Sequence, residues 1–515
     1  MSIARAAALV LAMNLISRLL GFVRDAVIAR QFGASGATDA YLVAYTVPYS
    51  LQAVLGMAFV TVMVPAITSY LVKGEEEEGW RVASSVFNGT GLVLAFFTIL
   101  GLLFAPLLVR ILAPGFEQED LLLATRLTRI MLPSILFMGL GMMVTGVLNA
   151  HKRFGLPAFA PAFTNIIIIL AVLLFGAGFG IEGLAAGTLA GFIGFLAVQL
   201  PGLQRIKMRY RFILDREHPA VRRVAVAVLP ATFAVAVNQI LLAMNRFFAS
   251  GLAPGSITAL DFGNRIMNLP LAIFAAAVST VIFPTLAEAA AEKEPAVFSR
   301  TFFRGLRLVS LAILPAAVGL MVLREPVVRL LFQRGAFDAA ATDLTAGALF
   351  YFSAGLWFLA ANTLLTRAYY ALEDLKTPVA AGLAAIGSNL LFSFIFLPVL
   401  GHQGLALANS LAAGVNAFLL FLLLWRQLPG GREAGLGRSL VKMLAASLLM
   451  GWLVQGFWRL VSAGVTASWW GEMSLLLAAA ALGAAFYLLA LLASRVEEAY
   501  QFLDYLKKKS MAKNK

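Results

Sequence analysis

Residues 157–178 read PAFAPAFTNIIIILAVLLFGAG, twenty-two positions without a charge. A helix that crosses the hydrocarbon of a bilayer needs about 20 mostly apolar residues. The run is long and continuous, whereas a barrel strand would alternate over about ten residues. Comparable stretches recur along the whole chain. By the same criterion fourteen spans are expected, at 7–31, 38–71, 82–112, 122–149, 157–178, 182–201, 222–250, 257–290, 298–323, 342–371, 376–398, 402–426, 438–461 and 473–494.

Bulk composition agrees. Apolar residues make up 61% of 515, charged residues 13%, and the mean hydropathy is +0.88. A soluble domain runs nearer half apolar and a quarter charged, so lipid is expected to cover the surplus. The absence of cysteine excludes disulfides, thiolate nucleophiles and cysteine-held metals. His151, His218 and His402 are scattered, and no metal site or other cofactor is expected. The net charge of +14 points to orientation in a membrane and not to nucleic acid, because the cations sit in short loops between spans. The N-terminus reads as a first permanent helix, since Arg18, Arg24 and Asp25 follow its apolar run with no small-residue cleavage pattern.

Loop charges orient the spans. The connection 202–223 carries Arg205, Lys207, Arg209, Arg211, Arg216, Arg222 and Arg223, whereas those near 179–182 and 399–402 hold no lysine or arginine. Lys152 and Arg153, Arg300 to Arg307, Arg426 to Lys442 and Lys507 to Lys509 fall on the basic side. Positive residues stay inside, so both termini are expected in the cytoplasm. The acidic run Glu75 to Glu78 dissents and is read as a flexible, solvated loop face.

The chain also resembles itself. Asp39 and Pro48 match Asp261 and Pro270, Pro65 matches Pro284, Val109 to Leu112 matches Val328 to Leu331, and Pro157 matches Pro378. The offsets are 222, 222, 219, 219 and 221. A repeat of six helices places both copies in the same orientation, as in transporters that rock two lobes about a central cavity. The expected architecture is an all-α polytopic membrane protein with fourteen transmembrane helices, as two parallel six-helix lobes plus two extra C-terminal helices. The divisions are 1–221, 222–430 and 431–515, the last ending in a basic tail.

Charges inside spans are costly and mark function. In the first helix Asn14, Arg18, Gly21 and Asp25 share one stripe, with Arg24 turned away. Gly21 is a candidate bend that lets both arginines reach one space; an internal Arg24–Asp25 pair is the alternative. In the eighth span Asp261, Asn264, Arg265 and Asn268 lie on one face, and Pro270 interrupts the backbone ladder as a hinge. Asn238 and Asn245 in the seventh span and Asn389 in the eleventh suit either ion coordination or contacts between helices. The bias toward arginine fits a phosphate-bearing headgroup, which guanidinium grips in two-point geometry.

At family spacing, the segments Ser17 to Asp25, Phe32 to Ala34 and Thr38 to Ala40 resemble the N-terminal signature of MurJ/MviN-type proteins. Ala113 to Phe116, Lys152 to Phe154 with Leu156 to Pro161, Phe332 to Gly335 and Asp374 to Val379 extend the match over about the first 380 residues. The resemblance implies the multidrug/oligosaccharidyl-lipid/polysaccharide exporter superfamily and flipping of lipid II, the lipid-linked peptidoglycan precursor, across the bacterial inner membrane. It places Arg18, Arg24, Asp39 and Arg265 at central-cavity positions, as headgroup ligands or gating partners, with Asn264 and Asn268 beside them. Gly21, Asp25, Pro48, Asp261 and Pro270 are the candidate gate or hinge positions, and the resemblance makes the last two spans the wall of a groove for the polyprenyl tail. Family behaviour implies coupling to membrane potential or a monovalent cation, and other cell-wall synthesis proteins are candidate partners alongside membrane lipids.

The chain departs from some relatives. Pro48 is followed by Tyr49, Ser50, Leu51 and Gln52 where those carry arginines, and Asn264 and Asn268 stand where they have carboxylates. The expected cavity is thus less charged in both signs. Other readings are a flippase for another polyprenyl-pyrophosphate glycan and a multidrug exporter, although the latter would want buried carboxylates. A membrane-embedded lipid enzyme would need clustered acidic metal ligands or a histidine nucleophile, and the sequence presents no such constellation.

Overall fold

The computed structural model describes residues 3–428, 435–465, 468–498 and 500, except the side chains of 3–7, 51–61, 225, 227–238 and 463–465. The side chains of Gln52 and Asn238, and the whole of Lys507 to Lys509, therefore lie outside the described residues. All elements among the described residues are helices.

They begin with α1 (Ile3–Phe32), α2 (Gly36–Lys73), α3 (Glu76–Leu103), α4 (Ala105–Leu112), α5 (Gln118–Met131) and α6 (Ser134–Ala150). The long α7 (Gly155–Ala197), the short α8 (Leu200–Arg205) and α9 (Pro219–Ala249) follow. Next, α10 (Ser256–Pro270) passes through a π-turn, Leu271–Ala275, into α11 (Ala276–Ala291). The chain continues as α12 (Pro295–Val322), α13 (Arg324–Phe332), α14 (Ala339–Ala354), α15 (Leu356–Ala371), α16 (Lys376–Leu400) and α17 (His402–Gln427). Last come α18 (Leu436–Val465) and α19 (Trp469–Ala493).

Local chemistry sets the ends. Ser35 caps α2 by accepting from the Thr38 N–H, and Gly74 ends it in the left-handed region. Pro270 has no N–H to continue the ladder, and the π-turn follows it directly. The acidic run proves more ordered than expected. Glu76, Glu77 and Glu78 form the first turn of α3, where carboxylates complement the helix dipole. Glu77 also accepts from Arg209, and Glu78 meets His218, so the acidic turn is tied to the basic connection it opposes.

The repeat is written in the backbone. Left-handed φ values pair Gly33 with Gly255, Gly74 with Lys293, Lys152 with Glu373, and Gly180 with Gly401. Their offsets, 222, 219, 221 and 221, match those found by comparing side chains. The break between α3 and α4 at Phe104 (φ −96°, ψ 15°) recurs between α12 and α13 at Leu323 (φ −97°, ψ 19°). Gly180 (φ 56°, ψ −143°) divides α7 into two antiparallel halves. A Cβ on Gly187 would lie 2.3 Å from that of Ala171, and one on Gly194 would lie 2.3 Å from Ile167. Gly401 (φ 56°, ψ −134°) makes the equivalent hairpin of α16 and α17.

Two compact units result, 1–258 with 334–338, and 259–333 with 339 onward. In the first, α1 packs on α7, while α2 packs on α5, α6 and α9. In the second, α11, α12, α15 and α17 enclose Phe302, Leu364 and Tyr369, and α18 with α19 covers part of α12.

Large apolar side chains face outward along whole helices; Phe96 is 62% exposed and Leu103 69%. In water such a surface is an interaction or aggregation site, and in a bilayer it is the natural lipid face. Nine helical stretches among the described residues are long and apolar enough to span, ten if α14 and α15, bent by 46°, count as one. One of these, 155–205, contains both halves of the Gly180 hairpin. α1, α2 and α9 each include undescribed side chains. The chain is a multi-pass membrane protein.

Candidate substrate and gating sites

In the first unit, α1 and the first half of α7 build a polar site inside apolar surroundings. Arg24 donates to Asp25 from Nε (3.0 Å) and Nη2 (2.8 Å), and from Nη1 to the Asn165 carbonyl oxygen (3.1 Å). The Asn165 amide in turn donates to the Ser17 carbonyl (3.1 Å). Asp25 is 5% exposed, and the Arg24 side chain 17%. The internal pair considered from sequence is thus present, with a third member. Asn165 was missed; its signal was a lone asparagine between Thr164 and a run of four isoleucines. Gly21 lies beside it, 3.5 Å from the Asn165 amide nitrogen at its Cβ position, and α1 runs unbroken through Gly21. Arg18, six residues before Arg24 on the same helix, is exposed.

Asp39 occupies a different place. Its carboxylate accepts from the Gly255 N–H (2.7 Å), the Thr258 N–H (2.7 Å) and the Thr258 hydroxyl (2.6 Å), at 3% exposure. These are the orphan donors at the start of α10, so Asp39 caps a helix remote in sequence. Buried Arg246 holds the same turn from Nη1 to the Ile257 carbonyl. The backbone is close-packed around this point. Ala336 N–H donates to the Arg30 carbonyl (2.9 Å), and Gly115 N–H donates to the Ser250 hydroxyl (3.0 Å). A Cβ on Gly33 would lie 2.3 Å from the Ala336 oxygen, and one on Gly115 would lie 2.5 Å from the Gly251 backbone. Glycine is required because main chain meets main chain.

In the second unit the predicted face of α10 carries its ion pair. Arg265 donates from Nε to Asp261 (2.6 Å), and the Asn268 amide donates to Asn264 one turn away. Arg265 and Asn264 are part-exposed and Asn268 is exposed. Pro270 stands at the end of this face, before the π-turn. Asn389 on α16 is 1% exposed, and neither its amide nitrogen nor its oxygen has a partner among the described residues. Ser393, one turn on, is likewise buried and unpartnered at its hydroxyl. Asn245 is half-buried on α9, and Pro48 sits within α2 without ending it. No group of three or more metal-binding side chains occurs among the described residues.

A family model described as lipid II flippase MurJ matches residues 28–480. The chain belongs to the lipid II flippase MurJ family. Among curated relatives of that family, the lipid II flippase of Burkholderia cenocepacia is 32% identical over 467 residues, covering 88% of this chain and 90% of its own. A probable lipid II flippase of Vibrio cholerae is 31% identical over 476 residues, 90% of each chain. A solved structure of a lipid II flippase in an inward closed conformation superposes with a TM-score of 0.79 at 27% identity, over 94% of this chain and 98% of that one. An inward-facing multidrug transporter of the MOP superfamily shares the fold at a TM-score of 0.67 and 15% identity, over 82% of this chain.

Proposed function

We propose that the protein flips lipid II from the inner to the outer leaflet of the bacterial cytoplasmic membrane by alternating access. The observation that carries this reading is the arginine placement. Arg24 is held by Asp25 and Asn165 within apolar helices, and Arg265 by Asp261 on a polar helix face. Guanidinium groups pre-oriented in low-dielectric surroundings suit a dianionic pyrophosphate and not a cationic drug. Transport moves the lipid without bond chemistry, so the side chains need only bind and release it.

In this scheme Arg18 and Arg24 are the headgroup ligands of the first unit, and Arg265, helped by Asn264 and Asn268, that of the second. The contacts of Asp39 with the start of α10, together with the close-packed turns at Gly33, Gly115 and Ala336, act as the outer gate. Gly21, Pro48 and the π-turn after Pro270 are where the helices flex. Hydropathy gives fourteen spans, loop charges put both termini in the cytoplasm, and the polyprenyl tail rides on α18 and α19. Asn389, with Ser393, supplies oxygens for a monovalent cation, since a buried unpaired amide is otherwise costly; Asn238 and Asn245 are a separate candidate pair for ion coupling on α9. Cell-wall synthesis proteins are the natural neighbours of such a carrier.

The test is complementation of a conditional strain depleted of its own lipid II flippase. Rescue by the wild-type chain, and loss of rescue with membrane-inserted Arg24→Ala or Arg265→Ala, is expected. Rescue by both variants would remove the arginine site. Failure of the wild type would move the substrate to another polyprenyl-pyrophosphate glycan.

A further inference from the structure

The two sequence repeats differ in what covers one equivalent surface. In the second, α18 and α19 pack over Leu311, Leu314, Val318 and Val322 of α12. At the offset of 219 these correspond to Leu92, Ala95, Ile99 and Leu103 of α3. There nothing described lies on top, and Leu92, Ile99 and Leu103 are each more than half exposed. Beside this bare face runs a groove of about 440 Å3, lined without a charge by Val93, Phe97, Gly101, Phe104, Leu132 and Ile135 among others. The break at Phe104 and the lack of a side chain at Gly101 open it.

A cation stands about one helical turn from the Leu132 wall of the groove. Arg129 of α5 is exposed and donates from Nε to the Leu102 carbonyl (3.4 Å), at the end of α3. Its two Nη atoms meet no partner among the described residues. Arg126, one turn nearer the start of α5, pairs with Glu182 just past the Gly180 hairpin. Arg129 therefore lies about one helical turn along α5 from an arginine paired beside that hairpin. In the second repeat the corresponding positions, 348–350, are Ala, Leu and Phe. Ala348 and Leu349 are buried, and the Phe350 ring carries the Arg324 guanidinium at 4.9 Å, so the second repeat meets this position differently.

We propose that this groove is a binding site for an anionic glycerophospholipid, its phosphate on Arg129 and one acyl chain along Phe97 and Gly101. One anionic lipid satisfies both the apolar trough and the exposed charge beside it. The leaflet, the outer one, rests on the orientation proposed above; the site itself does not.

The full chain, purified in mild detergent, is titrated with palmitoyl-oleoyl phosphatidylglycerol, and retained lipid is counted by native mass spectrometry. The wild type is expected to keep one more tightly held lipid than Arg129→Gln, whose retention falls roughly tenfold, as expected for losing charge-assisted hydrogen bonds. Gly101→Phe, which fills the trough and leaves Arg129 in place, should lose the same lipid. Arg129 is exposed, so its variant tests the site even if Gly101→Phe does not fold. Equal retention by wild type and Arg129→Gln overturns the proposal. So does a photo-crosslinker at Phe97 that yields a protein adduct and no lipid adduct in native membranes. Retention needs no turnover, so a chain that failed to flip lipid II would still show this site.

Discussion

Asp39 and Thr258 stand 219 residues apart, yet the Asp39 carboxylate accepts both the backbone N–H and the hydroxyl of Thr258, at 2.7 and 2.6 Å. With the Gly255 N–H this makes a three-point cap on the start of α10, built by a side chain from α2. The cap joins two of the segments argued to form the outer gate, so its strength bears on how readily that end opens.

Asp39→Asn keeps one acceptor oxygen and turns an NH2 group toward a backbone donor. Hydrogen bonds to charged groups contribute about 1.5–3 kcal/mol each, so the purified variant should melt well below the wild type. Thr258→Val removes the hydroxyl bond and leaves two amide bonds in place. Its melting temperature should fall less, and the reverse order would argue against the cap.

Gly115→Ala tests the gate without touching a charge. The added methyl meets the Gly251 backbone at 2.5 Å, and backbone cannot swing aside as a side chain would. The close-packed turns should separate more often. The chain has no cysteine, so Ala40→Cys, at a fully buried position of α2, provides a single reporter. Faster thiol labelling in the Gly115→Ala background is the expected outcome.

Asn165 positions Arg24 and should behave as a positioning residue. Asn165→Ala leaves the Arg24–Asp25 pair intact and is expected to reduce rescue in the depletion strain without abolishing it. Arg24→Lys cannot span Asp25 and Asn165 with one planar fork, so it should fail as badly as Arg24→Ala. Full rescue by Arg24→Lys would mean that charge alone suffices.

At Gly180 and Gly401 an added Cβ would meet nothing within 4 Å, so substitution there tests backbone conformation alone. Their φ and ψ values lie near a region essentially reserved for glycine, and alanine should cost about 1–3 kcal/mol at each. Lys152 and Glu373, at φ 57° and 59°, are equivalent controls, because glycine there relieves a left-handed strain. Thermal melts should fall for Gly180→Ala and Gly401→Ala and hold or rise for Lys152→Gly and Glu373→Gly.

Asp374, in the connection before α16, accepts from the Lys376 and Thr377 N–H groups and from the Thr377 hydroxyl. The Thr377 bonds hold its carboxyl below the ordinary carboxylate range. A depressed folded-state pKa means that the cap is fully present at neutral pH and lost as pH falls through that lowered value. Asp374→Ala should cost about 1 kcal/mol at pH 7, read as faster amide exchange at the start of α16. The difference from wild type should vanish in strong acid.

Hydropathy and spacing determined much of this protein by themselves. Whether a segment such as 157–178 enters lipid depends on its own composition, and whether Asp261, Asn264, Arg265 and Asn268 share a face depends on helix geometry alone. The repeat was legible because proline records backbone conformation, as Pro48 with Pro270 and Pro65 with Pro284 show; the Gly180 and Gly401 pair was added by the structure. Only tertiary structure decided which partner each buried polar group found. Asn165 reached Arg24 across 141 residues, and Asp39 spent its charge on the start of α10 and not on an open cavity. The acidic run at Glu76 became a helix start because the 209–218 connection folded back beside it. The bare face of α3 could not be read at all, since an exposed apolar helix and a covered one have the same hydropathy. Which of the two a helix becomes depends on what else in the chain arrives to pack on it.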